Sequence, residues 1–184
     1  TPQGDMVIDF GQNMSALIQV TAAGKKGDVI RLDCFEVLDS KGNVYLDNLR
    51  GAKESLQYTF GEDGTITYRP SFTFMGFRYA KIVSFPGEPS LDNFTANAIY
   101  TKMERTGFLE TSNPDLNQLA HNILWGLKSN FVDVPTDCPQ RDERMGWTGD
   151  TQVFSVTASY LADTYAFYRK FLYDMYQEQL LADG

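Results

Sequence analysis

The chain is poor in the residues on which many reactive centres depend. Its 184 residues include two cysteines, Cys34 and Cys138, and one histidine, His121. Two thiols so far apart make no disulfide framework, so both are expected as packed free thiols and the redox compartment is left open. A Ser-His-Asp triad or a multi-histidine metal centre would rest on His121 alone. Its neighbours follow a helical, apolar-periodic pattern, which points to a helix-surface or core histidine. Neither residue type has zinc-ligand spacing, and there is no EF-hand loop, so no metal and no cofactor is expected. Positive charge is also scarce: 16 Lys and Arg stand against 24 Asp and Glu, a net charge of −8. Polyphosphate backbones and anionic bilayers demand the opposite balance, so neither nucleic acid nor a membrane is an expected partner. No apolar run approaches the roughly 18 residues of a spanning helix. No charged-then-apolar leader opens the chain. Its first residue is Thr1 rather than Met, and the expectation is a piece of a longer protein.

What is present is apolar and aromatic mass, 42% and 14% of the residues. Up to about residue 104 the pattern is that of strands and turns. Met6–Phe10 is a short run closed by Gly11, and Leu17–Val20 precedes a Gly24–Gly27 turn. Val29–Phe35 and Phe77–Val83 alternate with period two, as half-buried strands do. Asp39–Asn43 is a turn by composition. Ser55–Phe60, Thr65–Tyr68 and Phe94–Tyr100 complete the series. Short strands at close spacing predict an antiparallel β-sandwich over residues 1–104.

From residue 105 to 184 the period becomes helical. Ser112 or Asn113 can cap a helix whose first turn takes Pro114 and Asp115. Leu116, Leu119, Ala120, Ile123, Leu124 and Leu127 fall on one face. A second helix, capped by Asp150 or its neighbours, carries Val153, Phe154, Val156, Tyr160 and Leu161. A third begins at Asp163 or Thr164, with Tyr168, Phe171, Leu172, Met175 and Tyr176 as its stripe. The aromatics of the last two helices exceed what three helices can hide. The fold class is therefore α+β, a sandwich followed by helices.

Residues 132–149 have no helical period and are long for a structureless connection, which points to function. Their heart is Asp137-Cys138-Pro139-Gln140-Arg141-Asp142-Glu143-Arg144-Met145-Gly146-Trp147-Thr148-Gly149-Asp150. Carboxylates, guanidinium groups and an indole suit a polyhydroxylated, uncharged ligand such as a sugar. Carboxylates accept hydrogen bonds from hydroxyls, and the indole packs on the apolar face of a pyranose. A carboxyl group crowded by others can retain a proton and serve as a general acid, while nearby arginines oppose that. Each residue also has a plainer reading. Arg141, Asp142 and Arg144 can be a salt-bridged scaffold, Asp150 a helix cap, Trp147 a core anchor, Asp137 a turn terminator and Cys138 a packed small residue.

The motif resembles the signature of bacterial α-L-rhamnosidases of glycoside hydrolase family 78, without a gap. Ile8-Asp9-Phe10-Gly11-Gln12-Asn13-Met14 is similar to the opening strand of the family's sandwich. Phe72–Tyr79 resembles a motif near the sandwich's end, with Met75 where a histidine is often found. The resemblance covers nearly the whole chain. It implies a soluble bacterial protein whose helices are the first few of an (α/α)6 barrel. It implies release of terminal α-L-rhamnose from glycosides and polysaccharides with inversion. Glu143 would be the general acid, Asp137 and Asp150 would bind rhamnose hydroxyls, and Trp147 would wall the pocket. Arg141, Asp142 and Arg144 would shape the site. The general base would lie beyond Gly184, leaving the chain alone with little or no activity. A non-catalytic carbohydrate-binding module, a salt-bridged structural domain and a glycosidase for another sugar remain as alternatives.

Overall fold

A computed structural model describes residues 1–182; Asp183 and Gly184, the end of the expected helical region, lie outside the described residues. The chain divides into two compact units. One comprises Thr1–Ile99 with Cys138–Glu143, the other Tyr100–Asp137 with the residues from Arg144 onward.

The first unit is built on eight strands: β1 (Val7–Gly24), β2 (Val29–Phe35), β3 (Val37–Leu38), β4 (Val44–Tyr45), β5 (Ser55–Thr59), β6 (Gly64–Tyr68), β7 (Met75–Ser84) and β8 (Phe94–Ala98). Six of them form one sheet in the order β5-β2-β7-β1-β6, with β8 also on β1. All of its pairings are antiparallel. Ala16 is partnered by both Met75 and Ala98, and Val20 by both Tyr68 and Phe94. A strand has only two edges, so β7 and β6 share one edge of β1 in succession and β8 occupies the other. The expected sandwich is thus one curled sheet. Tyr58 of β5 and Tyr68 of β6, at opposite ends of the strand order, meet with ring centroids 4.8 Å apart.

The two runs expected on either side of Gly11 are one strand of 18 residues. Gly11 does not end it. At φ 77° it takes a conformation that costs an L-residue but not glycine, and the pairing with β7 shifts register between Asp9 and Met14. Arg78 grips the same bulge, donating to both Asp9 carboxylate oxygens at 2.8 Å, and this bond holds the Asp9 carboxyl below its usual range. Beyond the bulge Ala16, Ile18, Val20 and Ala22 are buried at period two. Ile30, Leu32, Phe35, Phe60 and Phe77 are buried as well. Each large side chain so buried contributes about 1.5–3 kcal/mol. The expected turn Asp39–Asn43 closes the small β3–β4 hairpin, with the Asp39 carboxylate accepting from the Lys41 and Asn43 backbone N–H groups.

The second unit holds α1 (Pro114–Asn130), β9 (Phe131–Val132), β10 (Val134–Pro135), α2 (Thr148–Leu161) and α3 (Tyr165–Leu181). Asn113 caps α1, its side-chain oxygen accepting from the Asp115 N–H, with Pro114 in the first turn. Thr164 stands at the start of α3. Phe131 is the hub: it stacks on Phe167 at 4.4 Å and meets Phe154 and Tyr168 edge-on. Leu127, Phe131, Ala158 and Phe167 form the buried core. The expected stripes are only partly covered. Leu116 and Leu119 on α1, Val156 and Tyr160 on α2, and Leu172 and Tyr176 on α3 are exposed. His121 lies exposed on α1, beside Trp125.

Candidate active site

The acid-rich motif is divided between the two units. In the helical unit, β9 and β10 pair as a minimal hairpin around Asp133, which sits at φ 67°. The hairpin delivers Asp137, whose backbone N–H donates to the Met145 carbonyl at 3.1 Å. Its carboxylate Oδ1 accepts from the Met145 N–H, also at 3.1 Å. Asp137 therefore knots the two ends of the motif loop together.

After the knot, Trp147 occupies the N-cap of α2, its carbonyl accepting from both the N–H and the hydroxyl of Thr151. Asp150, expected as a possible cap, instead lies inside the first turn, where its charge complements the helix dipole. Asp137 and Asp150 line one cavity of about 730 Å³ together with the apolar Ile123, Phe131, Pro135, Val153 and Phe154. That size is usual for a small-molecule pocket, and a few polar groups over an apolar surface are its usual chemistry. Trp147 is not among the lining residues and is 48% exposed. Arg144, at φ 53°, is partly buried, and that desolvation lowers its pKa.

Cys138–Glu143 packs with the sheet unit. Cys138 is a buried free thiol, as is Cys34, whose pKa burial pushes far up. Gly76 on β7 lets the Gln140 backbone approach closely, since a β-carbon there would stand 2.8 Å from the Gln140 nitrogen. Burial works against the Arg141 charge, but Cys138 and Glu143 outweigh it and raise its pKa. Glu143 is partly buried, and two guanidinium groups converge on its Oε2, Arg50 at 3.1 Å and Arg141 at 2.9 Å. Asp142 is exposed and faces Gly51, where a β-carbon would stand 3.2 Å from its Oδ2.

The seven expected residues thus fall into two groups: Arg141, Asp142 and Glu143 with the sheet; Asp137, Arg144, Trp147 and Asp150 with the helices. Trp147 stands at the N-cap of α2. Arg50 escaped sequence reading. It follows a 3-10 turn, Asp47–Leu49, and is 93 positions from its partner, with no local signal of the pairing.

The chain is thus a curled antiparallel sheet followed by helices that bring two carboxylates to an apolar-lined cavity. Comparison with known families makes this specific. Residues 1–100 match the bacterial alpha-L-rhamnosidase concanavalin-like domain, and residues 104–184 match the bacterial alpha-L-rhamnosidase 6 hairpin glycosidase domain. The chain belongs to the bacterial α-L-rhamnosidase family. It is 44% identical over 181 residues to an alpha-L-rhamnosidase of Streptomyces avermitilis, covering 98% of this chain and 18% of that protein. The crystal structure of a native α-L-rhamnosidase from Aspergillus terreus superposes with a TM-score of 0.91 at 43% identity, covering 97% of this chain and 21% of that one. A Streptomyces avermitilis α-L-rhamnosidase complexed with L-rhamnose superposes equally well, with a TM-score of 0.91 at 44% identity, covering 96% of this chain and 17% of that one. The chain thus spans about a fifth of the length of the relatives it matches. Among the described residues no helix is long and apolar enough to cross a membrane.

Proposed function

We propose that the whole protein is an inverting glycoside hydrolase that releases terminal α-L-rhamnose from glycosides or polysaccharides, and that this chain supplies its acid. The observation that carries the reading is the gapless Asp137–Asp150 motif within the region matched by the glycosidase domain, with Asp137 and Asp150 lining one cavity. Asp137 and Asp150 accept hydrogen bonds from the sugar hydroxyls. Trp147 offers its exposed indole to the apolar face of the ring. In the reacting complex the bond between C1 and the glycosidic oxygen breaks. The bonding pair stays on the departing oxygen, which takes the proton of Glu143. Water attacks C1 from the opposite face and yields its proton to a second carboxylate, expected beyond Gly184. Inversion needs the two carboxyl groups about 6.5–9.5 Å apart with the water between them.

In the complete protein, Glu143→Gln is expected to lower turnover of a rhamnoside with a poor leaving group by about 10²–10⁴-fold. Wild-type turnover by that variant would remove Glu143 from the chemistry. A second reading, a salt-bridged brace, draws on the two arginines at Glu143 Oε2. It predicts that Glu143→Gln lowers the melting midpoint and leaves turnover intact.

A further inference from the structure

Within the sheet unit one short segment is held with unusual care and ends on the proposed acid. Asn13 of β1 donates to Glu36 Oε1 at 2.8 Å, and Asn48 donates to Glu36 Oε2 at 2.9 Å. Glu36 therefore ties the Asp47–Leu49 turn to the longest strand of the sheet. Leu49 is 4% exposed and anchors the turn from beneath. The turn's backbone is closed by the Leu49 N–H on the Leu46 carbonyl and the Ala52 N–H on the Leu49 carbonyl, both at 3.0 Å.

The chain then leaves the turn through Arg50 at φ 55° and ψ −116°, a conformation that favours glycine. A residue other than glycine there carries backbone strain. From this position Arg50 reaches Glu143 Oε2 at 3.1 Å, the oxygen that Arg141 also holds. The next residue, Gly51, presents its bare α-carbon to Asp142. Two successive residues of a strained turn thus address two successive acids of the motif.

We infer that Arg50 is a positioning residue for Glu143, an inference that rests on the acid role proposed above. Arg141 lies two residues from Glu143 and moves with the loop. Arg50 comes from a turn fixed to the sheet, so it supplies an external reference for the carboxyl group. Its contribution is to hold the acid where the departing oxygen will be, and a misplacement of about 1 Å is enough to cost on the order of 100-fold in rate.

The conformation of Arg50 offers a clean test. Arg50→Gly removes the guanidinium and relieves the backbone, so the fold is expected to melt at or above the wild-type temperature. Turnover of an alkyl rhamnoside, whose leaving oxygen needs a proton, should fall by about tenfold or more in kcat with little change in KM. Turnover of a dinitrophenyl rhamnoside, whose leaving group needs none, should fall less than about twofold. Arg50→Lys should recover part of the alkyl-rhamnoside loss. Equal loss on both substrates, or none on either, overturns the inference. Should Arg50→Gly melt below wild type, the same contrast measured with Arg50→Asn, which removes the guanidinium and tolerates a positive φ, decides by the same criterion. Glu143→Gln, run alongside, separates the two levels. If it keeps full alkyl-rhamnoside turnover, the acid assignment fails and the role of Arg50 with it. If it loses that turnover while Arg50→Gly does not, only the role of Arg50 fails.

Discussion

Tyr168 shows how a single atom can weaken a packed core. Its ring meets Phe131 and Phe167, but its hydroxyl is buried with no hydrogen-bond partner among the described residues. A buried polar atom left unpaired costs about 1–3 kcal/mol. Tyr168→Phe deletes that atom and keeps the ring, so the variant is expected to gain about 1 kcal/mol in denaturant unfolding. The same burial pushes the phenol pKa up to about 12 from the ordinary 10. The folded state therefore holds a proton that the unfolded chain releases first. This contribution to stability is complete below pH 10 and lost as pH rises towards 12. Alkaline unfolding curves of Tyr168→Phe should lack that loss; a slope identical to wild type over this window would refute the assignment. No sequence pattern separates such a hydroxyl from the other tyrosines on the helices, because its burial depends on tertiary packing rather than on neighbouring residues in the chain.

At the scale of elements, Phe131 does for the helices what β1 does for the sheet. It ends α1 and touches residues of both α2 and α3. Phe131→Ala should destabilise the helical unit by about 3–5 kcal/mol, seen as early loss of helical circular dichroism on heating. A variant that melts with wild type would show that the hub is dispensable. The elements were legible where local chemistry dictates them. Val29–Phe35 alternates and is β2, Asn113 with Pro114 starts α1, and Asp39–Asn43 turns. Reading failed at Gly11, where a glycine that usually closes a strand instead allows a bulge within it. It failed again at Asp150, because a carboxylate in a helix's first turn and one at its cap have the same sequence signature. The motif was legible as a whole, since its residue types declare their chemistry. Its division between two compact units was not, and neither was Arg50, because both depend on contacts across long stretches of chain.

At the scale of the 184-residue chain, apolar side chains of the helices lie exposed. Val153 is 83% exposed, Tyr160 76% and Tyr165 73%. Exposed apolar surface of this kind drives association. Prepared alone, the 184-residue chain is expected to sediment as oligomers or aggregates at micromolar concentration. It is also expected to turn over no chromogenic rhamnoside, since the second carboxylate is proposed to lie outside it. A monodisperse monomer that cleaves the substrate at an appreciable rate would contradict both expectations.

The lodging of Cys138–Glu143 with the sheet bears on how such proteins can be recombined. A chimera joined near residue 104 takes the covalent order of the chain at face value. It would graft a foreign Glu143 onto a seat made by someone else's Arg50, Gly51 and Gly76. Exchange of the helical half alone is therefore an exchange of lock without key, and the crossover must carry both sides of that seat together.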